Sequence, residues 1–109
     1  MSCDIYDITK YGERKNIEFK VNLEKEYHLK KDRIQRLASQ MKYRMEKGNG
    51  DAFYFLGVDD DGNLVGLTDD QMEESLFVLK MVANSIDAEI HDIQEQKAGK
   101  GTVAQVLIC

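Results

Sequence analysis

The chain has 109 residues, enough for one domain around one core. Charged residues make up 32 %, apolar residues 42 %, and the formal net charge is -5. That is ordinary globular composition, and its acidity argues against binding nucleic acid through overall charge while leaving room for a local basic surface. No apolar run is long enough to cross a bilayer, and the opening MSCDIYDITK lacks the basic-then-apolar order of a signal peptide, so no membrane partner is expected.

In chain order, residues 1–15 read as a flexible lead-in and residues 16–109 as a single α/β domain, with no proline anywhere to mark an interior linker. From Asn16 to Leu23 apolar and polar residues alternate. Ile17, Phe19, Val21 and Leu23 share the predicted buried face of a strand, and Glu18, Lys20 and Asn22 the open one. Asp32 to Lys47 is a predicted helix with Ile34, Leu37, Ala38, Met41 and Met45 inside, and Asp32 with Gln35 reads as its N-cap.

The stretch from Gly48 to Ser75 carries the strongest local signals. Lys47-Gly48 ends the helix on a glycine. Ala52 to Val58 is a nearly unbroken apolar run, predicted as a central strand. Asp59-Asp60-Asp61-Gly62-Asn63 is turn chemistry, with Gly62 free to take positive φ. Leu64 to Leu67 is predicted as a short returning strand. Thr68-Asp69-Asp70-Gln71 is a capping box opening a helix to about Asp87, with Met72, Leu76, Leu79, Ala83 and Ile86 inside and Val78 and Val82 widening that stripe. Two strands follow, near Glu89 to Gln96 and Thr102 to Ile108. The order β-α-β-β-α-β-β predicts a mixed sheet with two helices packed on one face.

Several short motifs invite chemistry and fail on spacing. Gly99-Lys100-Gly101-Thr102 is not a phosphate loop, because such a loop needs Ser or Thr directly after the lysine, where Gly101 stands. A hairpin loop fits better. The triple aspartate is not a calcium loop: with Gly62 as the central glycine, Gly57 falls at the first ligand position and Thr68 at the last. His28 and His91 have no partner at metal-ligand spacing. Cys3 and Cys109 sit near opposite ends and read as reduced thiols of a cytoplasmic protein. No catalytic residue, metal ligand set or cofactor is expected in this chain.

Two constellations remain. On the first helix, Arg33, Arg36, Arg44 and Lys47 recur at helical spacing, Tyr43 flanks them, and Lys30 and Lys31 extend them; such a stripe is either a solvated face or a track for an RNA backbone. The second is acidic. Glu13, Glu18 and Asp59 could converge on a divalent ion and cut a phosphodiester, or could be scattered carboxylates of an acidic chain.

Asn16-Ile17-Glu18-Phe19-Lys20, Gln40 to Met45, Leu56-Gly57-Val58-Asp59 with Gly62, and Leu64-Val65-Gly66-Leu67 resemble, in this order and spacing, the N-terminal domain of the elongation-factor-like GTP-binding proteins, within the translational GTPase superfamily. The resemblance runs from about Asn16 to Ile108. It implies a non-catalytic accessory domain, with a GTPase domain following in cis. GTP and magnesium would belong to that full-length protein, which acts on tRNA, mRNA or the ribosome. The chain stops where the GTPase domain would begin, so a cut domain is expected rather than a free-standing relative. Glu13 to Lys20 and Leu56 to Leu67 are also similar to the Alba-like module of Schlafen-type proteins. That second resemblance implies a nucleic-acid-associated fold, with acidic residues that in some members support RNA cleavage.

Overall fold

The computed structural model describes residues 15–109. Strand β1 (Ile17–Lys20) leads into a one-turn helix α1 (Lys25–His28) and the long α2 (Lys31–Lys47). Strand β2 (Ala52–Leu56), helix α3 (Asp69–Ser85) and the hairpin strands β3 (Ile90–Ala98) and β4 (Gly101–Ile108) complete the domain. The sheet runs β1-β2-β4-β3, with β1 parallel to β2 and the other pairs antiparallel. A parallel pair needs a long crossover, and α1 and α2 supply it. This is the mixed sheet with helices packed on one face that the alternation of elements predicts.

The main core lies between sheet and helices. Tyr54, Leu56, Ala104, Val106 and Ile108 from the central strands meet Met41 of α2 and Met72, Val78, Leu79, Val82 and Ala83 of α3. Both predicted inner stripes are the packed ones. Helix α3 is the more deeply buried, because valines at positions 78 and 82 widen its apolar arc. Its start is the capping box read from the sequence: Gln71 N–H donates to Thr68 Oγ1 at 3.2 Å, and Thr68 N–H donates to Gln71 Oε1 at 3.0 Å.

Four sequence expectations are corrected. Leu64 to Leu67 is not a strand but makes two single bridges, Val58 to Leu64 and Leu67 to Thr102. Its glycine-bearing backbone lies across the β3–β4 turn instead of alongside a strand. Helix α1 is additional, its polar sequence giving no periodic signal. Asp32 does not cap α2: the helix starts one residue earlier, after Lys30, with no side-chain cap.

The fourth correction concerns β1, whose faces are the reverse of those expected. Phe19 packs with Phe55, Val58 and Val103 on the side away from the helices, its ring edge-on to Phe55 at 5.9 Å. Glu18 is buried beneath α2, and Val21 is exposed. A second apolar cluster, joined by Leu64 from the loop after β2, occupies the sheet face expected to stay open. Alternation reveals that a strand has two faces; it does not say which one the helices cover.

Candidate nucleic-acid interface

The basic stripe divides into groups with different roles. At 3.6 residues per turn, Arg33, Arg36, Gln40, Tyr43 and Lys47 share one narrow strip of α2. Lys31 falls well round the helix from that strip, and Lys30 precedes the helix; both are exposed. Arg44 lies at the strip's inner edge and turns inward. Its Nη2 donates to Glu18 Oε1 at 3.2 Å and its Nη1 to the Lys15 carbonyl at 3.0 Å. Tyr43 remains 51 % exposed, with Lys47 Nζ 5.4 Å from its ring centre.

At the N-terminal end of the strip the tertiary structure adds residues that spacing along α2 could not reveal. A cleft of about 270 Å3 is lined by Lys20 from β1, Tyr27 and His28 from α1, and Arg33, Arg36, Leu37 and Gln40 from α2. Three cations and two aromatic rings therefore face one concavity with no carboxylate among its lining residues. The Arg33 guanidinium sits 4.3 Å from the Tyr27 ring centre, and the His28 ring meets Tyr27 nearly at right angles at 4.8 Å.

Helix α1 is too short to stand alone and is held in place by α3. Lys25 N–H, one of its unsatisfied first-turn donors, donates to Glu74 Oε2 at 2.8 Å. Just upstream, Leu23 N–H donates to the buried Ser75 hydroxyl at 3.0 Å, and that hydroxyl lies 2.9 Å from Asn22 Oδ1. Lys25 Nζ rests over the Phe77 ring at 4.7 Å. Glu24 N–H donates to His28 Nδ1 at 2.8 Å, and the same ring nitrogen lies 3.3 Å from the Glu24 carbonyl oxygen, so Nδ1 is turned to the backbone and Nε2 away from it.

Of the acidic candidates, Glu18 and Asp59 are each engaged separately. Glu13 lies outside the described residues. Glu18 is engaged by Arg44 under the helices rather than facing an open sheet surface. Asp59 organises its own turn: Oδ1 accepts from the Asp61 and Asn63 N–H groups at 3.0 and 2.9 Å, and Oδ2 from the Asn63 amide at 3.1 Å. The Asn63 N–H, then the Asn63 side chain and the Asp61 N–H, hold its carboxyl below the usual value, against a smaller opposing effect of burial. Among the described residues, no three His, Cys, Asp or Glu side chains are grouped as a metal site.

The Gly99–Thr102 loop is a tight turn with two of its amides already used. Lys100 N–H donates to the Val65 carbonyl and Thr102 N–H to the Leu67 carbonyl, both at 2.9 Å. A Cβ on Gly66 would collide with the Ala98 carbonyl oxygen, so glycine lets the two backbones touch. The Cys109 thiol is pushed up, by burial first and then by Asp51 and Glu89, which disfavours the reactive thiolate.

Comparison with known proteins gives the wider setting. The chain is 38 % identical over 82 residues to GTP-binding protein 2 of Mus musculus and of Homo sapiens, across 75 % of its own length and 13 % of theirs. It is 31 % identical over 72 residues to GTP-binding protein 1 of Xenopus laevis, across 66 % of its length and 11 % of that protein. Sequence thus links the chain to the GTP-binding proteins. It spans about an eighth of the length of these relatives. No family profile matches the sequence, and no solved structure matches it. No helix among the described residues is long and apolar enough to cross a membrane.

Proposed function

We propose that this domain is a non-catalytic accessory module of an elongation-factor-like GTP-binding protein and contacts RNA through the basic, aromatic side of α1 and α2. GTP binding and hydrolysis, with magnesium, belong on this reading to a separate GTPase domain in cis, and the protein works in the cytoplasm. The observation that carries the proposal is the placing of charge. In a chain of net charge -5, Lys20, Arg33, Arg36 and Lys47 lie on one side with Tyr27 and Tyr43, and the cleft among them has no acidic lining. Cations and exposed rings are the elements that track phosphates and stack bases.

The test is RNA binding by fluorescence anisotropy across a salt series. Arg36→Glu with Lys47→Glu should weaken binding at least tenfold and flatten the dependence of log K on log salt. Arg44 is left intact, since its loss would perturb the fold through Glu18. Unchanged affinity and salt slope in the double variant would reduce the strip to a solvated face.

A further inference from the structure

We infer that the cleft among β1, α1 and α2 receives one unpaired nucleotide, its phosphate facing Lys20 and Arg36 and its base stacked on the Tyr27–Arg33 platform. The inference rests on the RNA-contact reading and narrows it to single-stranded RNA.

Three observations converge. The first is size. About 270 Å3 lies just below the usual range of ligand pockets, room for one nucleotide, and a duplex keeps its bases stacked inside the helix, away from the Tyr27 ring. The second is the platform. Tyr27 is 45 % exposed although its ring is braced by Arg33 at 4.3 Å and His28 at 4.8 Å. A ring so held keeps its orientation, and both tyrosine rings and guanidinium planes stack on bases. The third is polar complementarity. Lys20, Arg33 and Arg36 supply positive charge without an opposing carboxylate in the lining. Gln40 adds an amide that can pair with a base edge, and His28, with Nδ1 turned to the Glu24 backbone, leaves Nε2 for a ligand.

The larger groove between α3 and β3 sets Leu76, Phe77, Ile90 and Ile93 beside Glu73, Lys80 and Glu89, and nothing in the structure shows what covers it.

The chain contains no tryptophan, so Tyr27→Trp places a single fluorescent reporter on the platform. The probes are a ten-nucleotide polyadenylate strand and a blunt ten-base-pair RNA duplex, titrated into wild type, Tyr27→Trp, Tyr27→Ala and Lys20→Gln. The single strand should bind about tenfold tighter than the duplex and quench the indole emission of the Tyr27→Trp variant. Tyr27→Ala should cost roughly 5- to 50-fold for the single strand and erase the preference. Lys20→Gln should reduce the single-strand salt slope by about 0.7. Circular dichroism monitors the fold, and the quenching reports on stacking even if Tyr27→Ala unfolds.

Equal affinity for strand and duplex, with no quenching, would overturn the nucleotide site while leaving the RNA-contact reading standing. If wild type binds neither probe at low salt, both fall.

Discussion

Arg44 of α2 and Glu18 of β1 form an ion pair at 3.2 Å between the helix layer and the edge of the sheet, with side chains only 18 % and 4 % exposed. The pair joins one candidate from the basic stripe to one from the acidic set, and gives both a structural role. Breaking it leaves a poorly solvated charge behind. Glu18→Ala should therefore destabilise the domain by roughly 2–4 kcal/mol, somewhat less than a fully buried pair because Arg44 keeps partial access to water. Urea unfolding measures the loss. A change below about 0.5 kcal/mol would place the pair among ordinary surface contacts.

Ser75 should act as a hinge pin for the approach to α1. Ser75→Ala leaves the buried Leu23 N–H without its acceptor, at a cost of about 1–3 kcal/mol. Because this contact positions the segment carrying Tyr27 and His28, amide exchange in residues 22–28 should accelerate more than in β2 or β4. Uniform acceleration throughout the domain would show that the hydroxyl affects only global stability.

The Asp59 turn predicts a stability change at acid pH. Its carboxyl is held below the ordinary 3.8, so its ionised form is favoured in the folded state. The stabilisation is present above the unfolded value and is lost as pH falls through the lower folded value. Asp59→Asn removes this titration. The stability difference between wild type and variant should be flat from neutral pH to about 5 and shrink below about 4. A difference that grows on acidification would reverse the assigned sign.

Gly66 should resist substitution even by alanine. At φ +83° the added Cβ meets strain, and it would also collide with the Ala98 carbonyl oxygen and sit 2.9 Å from the Lys100 nitrogen. Gly66→Ala should lift the loop from the hairpin, exposing the Lys100 amide that now donates to Val65. Faster exchange of that amide, with a loss of at least about 2 kcal/mol, is the expected result. Gly50→Ala is the control, a position of φ +108° where a Cβ meets no other atom within 4 Å. If the two variants behave alike, conformation rather than close approach explains Gly66.

Much of the architecture is written in local chemistry. Thr68 and Gln71 cap α3 because their side chains can satisfy its first donors without help from the rest of the fold. The apolar spacing of both long helices marks their packed faces, and Asp59 with Gly62 makes the acidic turn from groups within five residues. These effects act over one or two turns of chain and need no tertiary partner. The orientation of β1 could not be read this way. Phe19 and Glu18 each suit burial, given an apolar cluster for one and a cation for the other, and alternation is the same whichever face meets the helices.

The same distinction separates the parts of the candidate site. Arg33, Arg36, Tyr43 and Lys47 are visible as a strip because helical periodicity relates residues three and four apart. Lys20, Tyr27 and His28 come from other elements, and only the folding of β1 and α1 against α2 brings them to the same cleft. Sequence alone determined the two helical stripes, the α3 capping box, the acidic turn, and the failure of the glycine-lysine loop to match a nucleotide-binding pattern, all consequences of short-range periodicity and spacing. Tertiary structure decided that Arg44 pairs inward, that the Leu64–Leu67 segment is a backbone brace and not a strand, and that Tyr27 stands among cations. Those outcomes depend on contacts between distant residues, where burial and charge pairing select among arrangements that the local pattern permits equally.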